Sequence, residues 1–101
     1  MCPAKANPGS FARSAEVRKI FIHSCEADLR AILCAWQQQD KDDLLKRLHA
    51  LKGALILFRE GDTAALCEHL EEDLRKHSLP ACEGALLELD QALRDLIDSY
   101  K

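Results

Sequence analysis

Aromatic residues are few in this chain of 101 residues: three Phe, one Trp and one Tyr, beside only four glycines and three prolines. Strands draw on aromatic and β-branched residues, whereas Leu, Ala, Glu, Arg and Lys, all common here, are the stronger helix formers. An all-α fold is expected. The five cysteines, Cys2, Cys25, Cys34, Cys67 and Cys82, are odd in number and show no Cys-x-x-Cys spacing, so neither a disulfide framework nor a zinc ribbon is indicated. They read as small buried hydrophobes or as surface thiols of a reducing cytoplasm. No apolar run approaches the roughly 20 residues that span a bilayer, and Met1-Cys2-Pro3-Ala4-Lys5 lacks the apolar segment of a signal peptide. A cytoplasmic chain without membrane contact of its own is the expectation. The net charge of -3, with both signs interspersed, gives no basic footprint for nucleic acid. A Gly-rich phosphate loop is missing too, and the chain is too short for a kinase domain.

What is present is a succession of amphipathic stretches. Residues 1–9, with Pro3, Pro8 and Gly9, read as a flexible leader, and residues 10–101 as one bundle. Ser10 is a suitable cap for a helix over residues 11 to about 39, with Val17, Phe21, Cys25, Leu29, Ile32 and Trp36 along one side. Gln39-Asp40-Lys41 then turns the chain, Asp40 capping a second helix that reaches residue 58 or 59. At Glu60-Gly61-Asp62 the glycine is expected to take the left-handed conformation and Asp62 to cap a third helix. There Thr63, Leu66, Cys67, Leu70 and Leu74 face inward, and Glu68, Glu71, Glu72 and Arg75 face water. After Pro80 a fourth helix covers about residues 81 to 99, its apolar side formed by Cys82, Leu86, Leu89, Leu93, Leu96, Ile97 and Tyr100. Four such helices on short connections pack as an antiparallel, up-down-up-down four-helix bundle.

The second helix carries the chemistry. At about 100° per residue, Leu44, Leu48, Leu51, Leu55 and Phe58 form one apolar stripe, and His49 points the other way. Gly53, four residues on, is costly in a helix interior, by about 0.8 to 1.0 kcal/mol relative to alanine. It stands where a side chain would flank the imidazole, so its absence opens the ring to another molecule. Lys52, at i+3, is within reach of the same ring and would stabilise an anion attached to it while disfavouring the imidazolium. A neutral, accessible imidazole beside a cation suits a nucleophile that carries a phosphoryl group. Leu45, Lys46, Ile56 and Leu57 lie on or near the His49 side, a patch that is part apolar and part basic.

His49-x-x-Lys52-Gly53 on an amphipathic helix resembles the motif of histidine-containing phosphotransfer (HPt) domains of bacterial multistep phosphorelays. Phe21-x-x-Ser24, Asp28-Leu29 and Ala35-Trp36 upstream, and Leu66-Cys67-x-x-Leu70-Glu71 downstream, look like the family's flanking helices. The resemblance covers roughly residues 15 to 100. With four histidines in the chain, a chance Lys-Gly at this offset is expected on the order of 2% of the time. Many members carry small residues in the two turns after the motif and a glycine ten residues after the histidine; here Leu55, Ile56, Leu57 and Arg59 stand there, and the glycine comes at Gly61.

The resemblance implies a phosphoacceptor at His49, charge stabilisation by Lys52, access through Gly53 and a docking surface including Leu45, Lys46, Ile56 and Leu57. Partners would be response-regulator receiver domains, which supply the acidic pocket and Mg²⁺, so the chain would need no cofactor or metal of its own and would be monomeric in isolation. It would act as a phosphoryl carrier, as a separate protein or as the carboxy-terminal module of a hybrid sensor kinase tethered to the inner membrane. The alternative is a bundle that only binds a partner helix or dimerises, with the motif vestigial. His69 and His77, among Glu68, Glu71, Glu72 and Asp73, lack the paired Glu-x-x-His arrangement of a carboxylate-bundle metal site.

Overall fold

A computed structural model describes residues 15–101; the leader, Cys2, the Ser10 cap and the start expected for the first helix lie outside them. The described residues form four helices, α1 (Ala15–Gln37), α2 (Lys41–Leu57), α3 (Gly61–Lys76) and α4 (Glu83–Tyr100), the last preceded by a 3-10 turn at Pro80–Cys82. No strand occurs among the described residues. Each helix packs on its two neighbours in a ring, α2 with α3 most extensively, while the diagonal pairs make no close backbone approach. This is the antiparallel four-helix bundle that short connections favour.

Four stripes at helical spacing meet along its axis. Phe21, Cys25, Leu29, Ile32 and Ala35 come from α1, and Leu44, Leu48, Leu51 and Leu55 from α2. Ala64, Cys67, Leu70 and Leu74 come from α3, and Leu86, Leu89, Leu93 and Ile97 from α4. The four leucines of α2 are fully enclosed, which fixes the rotation of that helix: truncating any one of them to alanine is worth about 2–5 kcal/mol. Phe58, Trp36, Leu66, Leu96 and Tyr100 are half-buried against the same core. Burial also pushes the thiol of Cys25 up to about 12, with Asp28, Glu60 and Glu26 adding to the effect, so it remains a protonated apolar filler.

The first two turns are built alike. Gln39 and Arg59 each adopt a left-handed backbone, at φ 57° and 62°. In each turn the following N–H reaches back five residues, Asp40 to the Ala35 carbonyl at 3.0 Å and Glu60 to the Leu55 carbonyl at 2.8 Å. That is the bonding of a Schellman cap. Asp40 then caps α2, its side chain accepting from the Asp43 N–H at 3.1 Å as expected.

The second turn corrects the sequence reading. The left-handed residue is Arg59, ten positions after His49, and Gly61 is the first residue of α3 with no positive φ. The cap is Glu60, not Asp62. Glu60 lacks a side-chain capping bond because its carboxylate is engaged elsewhere: the Tyr100 hydroxyl donates to Glu60 Oε2 at 2.7 Å. Phe21 stacks on both Phe58 and Tyr100, with ring centroids 4.3 and 4.5 Å apart. This aromatic cluster locks the end of α2 to α1 and α4, and thereby the height of the helix that carries His49. At the opposite end the Lys41 ammonium donates to the His77 carbonyl at 2.8 Å, satisfying a carbonyl at the end of α3.

Candidate functional site

Because the leucine stripe fixes α2, His49 projects from the bundle with 76% of its side chain exposed. Gly53, one turn further on, is exposed as well, and a Cβ built there would meet nothing within 4 Å. The bundle's own packing therefore gives no reason for a glycine at this mid-helix position. Lys46 is exposed, and Ile56 and Leu57 are 60% and 67% exposed, whereas Leu45 is half-buried against the core and forms only the rim of this face.

The residue that the sequence reading misplaced is Glu71. Expected to face water, it is 2% exposed and sits on the α3 side that packs against α2. The signal was in the spacing: Glu71 lies four residues after Cys67 and three before Leu74, both fully buried, so it belongs to the inward stripe. Its charge had placed it with Glu68, Glu72 and Arg75 on the water-facing side.

Glu71 ties the site together. Its Oε1 lies 3.1 Å from the Lys52 ammonium, which is itself only 23% exposed. Its Oε2 lies 3.8 Å from His49 Nδ1 and 3.7 Å from Nη2 of Arg75, one turn further along α3. A carboxylate enclosed to this degree keeps its charge only with partners, and Lys52 is the close one. The contact is an ion pair alone, since Oε1 has no hydrogen-bond partner among the described residues. Lys52, read from sequence as within reach of the imidazole, is paired with Glu71.

The electrostatics of this pocket register on a neighbour. Burial and then the Glu71 carboxylate push the Cys67 thiol up to about 12, with Lys52 acting in the opposite direction. Cys67 stays protonated and is no competing nucleophile at neutral pH. The imidazole is different in kind. At 3.8 Å, Nδ1 is too far from Glu71 Oε2 for a hydrogen bond, and the enclosed carboxylate is the charge that faces this ring nitrogen.

Elsewhere, His69 Nε2 lies 3.7 Å from Asp73 Oδ2 on its own helix, exposed to solvent. Among the described residues no group of three His, Cys, Asp or Glu side chains is placed to hold a metal ion, and no helix is long and apolar enough to cross a membrane. One further apolar residue joins the picture without having been singled out from sequence. Ile20 is 67% exposed beside Phe21, whose ring meets Phe58 at the end of α2.

Comparison with known proteins gives one finding of substance. The model of a family described as Hpt domain matches residues 16–99. Neither the curated proteins nor the solved structures yield a match.

Proposed function

The chain belongs to the Hpt domain family, and from that premise we propose that it relays a phosphoryl group between receiver domains through His49. Family membership carries the general phosphorelay role and the class of partner. The assignment to this residue rests on one observation above the others: His49 is the histidine that stands outward on α2 with a buried carboxylate behind its inner nitrogen.

The chemistry follows from that arrangement. With the ring neutral and its proton on Nδ1, the Nε2 lone pair attacks the phosphorus of a receiver's aspartyl phosphate. The P–O bond to the aspartyl carbonyl carbon's oxygen breaks, and its electron pair leaves with the aspartate as carboxylate. Positive charge develops on the imidazole and is shared with Nδ1–H, where the Glu71 carboxylate stabilises it. Transfer to the next receiver runs the same step in reverse, with Nε2 as the leaving group and its ring again neutral. The receiver brings Mg²⁺ and the acidic pocket that holds it. This chain contributes orientation by Glu71, a cation at Lys52 for the phosphoryl oxygens, and clearance at Gly53. Ile56, Leu57 and Lys46, with Leu45 at the rim, offer the apolar and basic contacts for docking.

The test is to mix the domain with a phosphorylated receiver and Mg²⁺ and follow acid-labile, base-stable phosphate. Label on wild type and none on His49→Gln, with helical content unchanged, supports the relay. Equal label on both contradicts it, and loss of receiver binding together with label in His49→Gln favours a binding module without transfer.

A further inference from the structure

Resting on the reading of His49 as phosphoacceptor, we propose that Arg75 is the reserve counter-ion of Glu71, which releases Lys52 to pair with a phosphoryl group on His49. Lys52 has two claims on a single ammonium. In the unmodified domain it lies 3.1 Å from Glu71 Oε1, and a phosphoryl group on the ring three residues earlier would bring about two further negative charges within its reach. To turn outward it must leave a carboxylate that is 2% exposed and already short of hydrogen bonds. Leaving that charge alone is strongly unfavourable.

Arg75 is placed to remove the conflict. Its Nη2 lies 3.7 Å from Glu71 Oε2, beyond hydrogen-bonding distance, on a side chain that is 60% exposed. The guanidinium is therefore parked beside the carboxylate and not yet bonded to it. It sits one helical turn from Glu71, so a closure of less than 1 Å, on the order of rotamer adjustment, makes the charge-assisted contact. The planar fork can then serve both carboxylate oxygens, the one Lys52 gives up included. Arg75 acts through Lys52 and touches no reacting atom, which makes it a positioning residue.

The test avoids receivers altogether, so that it stands apart from the relay assay. Phosphoramidate transfers its phosphoryl group to an imidazole nitrogen, the P–N bond to ammonia breaking as the bond to Nε2 forms. It loads His49 in a chain whose other histidines, His23, His69 and His77, are changed to Gln. ³¹P NMR then follows the last ionisation of the phosphoryl group, which a nearby ammonium lowers. Arg75→Ala is expected to raise that midpoint by about half a pH unit, near a threefold loss of dianion stabilisation, because Lys52 stays with Glu71. Arg75→Lys should restore most of it. In a Glu71→Gln background, where no buried charge holds Lys52, the same Arg75→Ala change should shift the midpoint by less than about 0.2 unit. No shift on Arg75→Ala, or an equal shift in both backgrounds, would overturn the proposal, the latter because it would place Arg75 directly on the phosphoryl group.

Discussion

Two imidazoles in this bundle stand beside a carboxylate at nearly the same distance, His49 to Glu71 at 3.8 Å and His69 to Asp73 at 3.7 Å. Both rings are mostly exposed. The carboxylates differ. Asp73 shares a helix with its histidine and is 32% exposed, so water and salt screen the pair. Glu71 reaches across from the neighbouring helix, is almost fully enclosed, and has Lys52 and Arg75 around it. Proximity alone therefore distinguishes nothing. A carboxylate enclosed in this way holds a charge beside one ring nitrogen, Nδ1, and on the proposed reading that leaves Nε2 for chemistry.

The largest effect should come from stripping the buried carboxylate of its cations. Lys52→Ala combined with Arg75→Ala is expected to cost about 3–5 kcal/mol, lowering the melting temperature by more than about 10 °C. Each single change should cost much less, and adding Glu71→Gln should recover most of the loss. His69→Ala and Asp73→Ala, by contrast, should stay within about 0.5 kcal/mol of wild type. A double variant as stable as the parent in thermal melts would mean that Glu71 is not a buried charge, and the contrast between the two pairs would collapse.

Gly53 sharpens the same contrast at the next level. Since an added Cβ meets open space, Gly53→Ala should stabilise the domain by about 1 kcal/mol. Gly53→Leu should keep the helix at least as stable as the parent's while slowing transfer from a phosphorylated receiver. Full-speed transfer in the leucine variant, measured in single-turnover mixing, would remove the steric role. The smallest effect belongs to the turn remote from the ring. Arg59 holds a left-handed backbone, and Arg59→Gly should relieve up to about 1 kcal/mol with the transfer rate unchanged. Loss of stability in that variant would show that the Arg59 side chain supports the turn.

Much of this was legible in the sequence. The leucine ladder of α2 at helical spacing fixes both the bundle and the outward direction of His49, because burial of Leu44, Leu48, Leu51 and Leu55 leaves the ring nowhere else to point. Asp40 was readable as a cap because the carboxylate-to-amide bond is local. What escaped was non-local or contrary to type. Arg59 adopts the conformation expected of Gly61 because the Schellman bonds run from Glu60 to Leu55 and α3 begins at once, leaving no room for a longer turn. Glu60 gives up side-chain capping to a tyrosine 40 residues away. Glu71 is buried because cations from two helices converge on it, and the pattern of one helix cannot show that partnership.

The central claim is that His49 accepts phosphoryl at Nε2 with its Nδ1 proton turned to Glu71. The most direct measurement is a long-range ¹H–¹⁵N correlation spectrum of ¹⁵N-histidine-labelled domain, before and after addition of a phosphorylated receiver and Mg²⁺. One ring alone, that of His49, is expected to change, with the phosphoryl group on Nε2 and the proton on Nδ1. A phosphoryl group on Nδ1 of His49, or on His69, would contradict that claim.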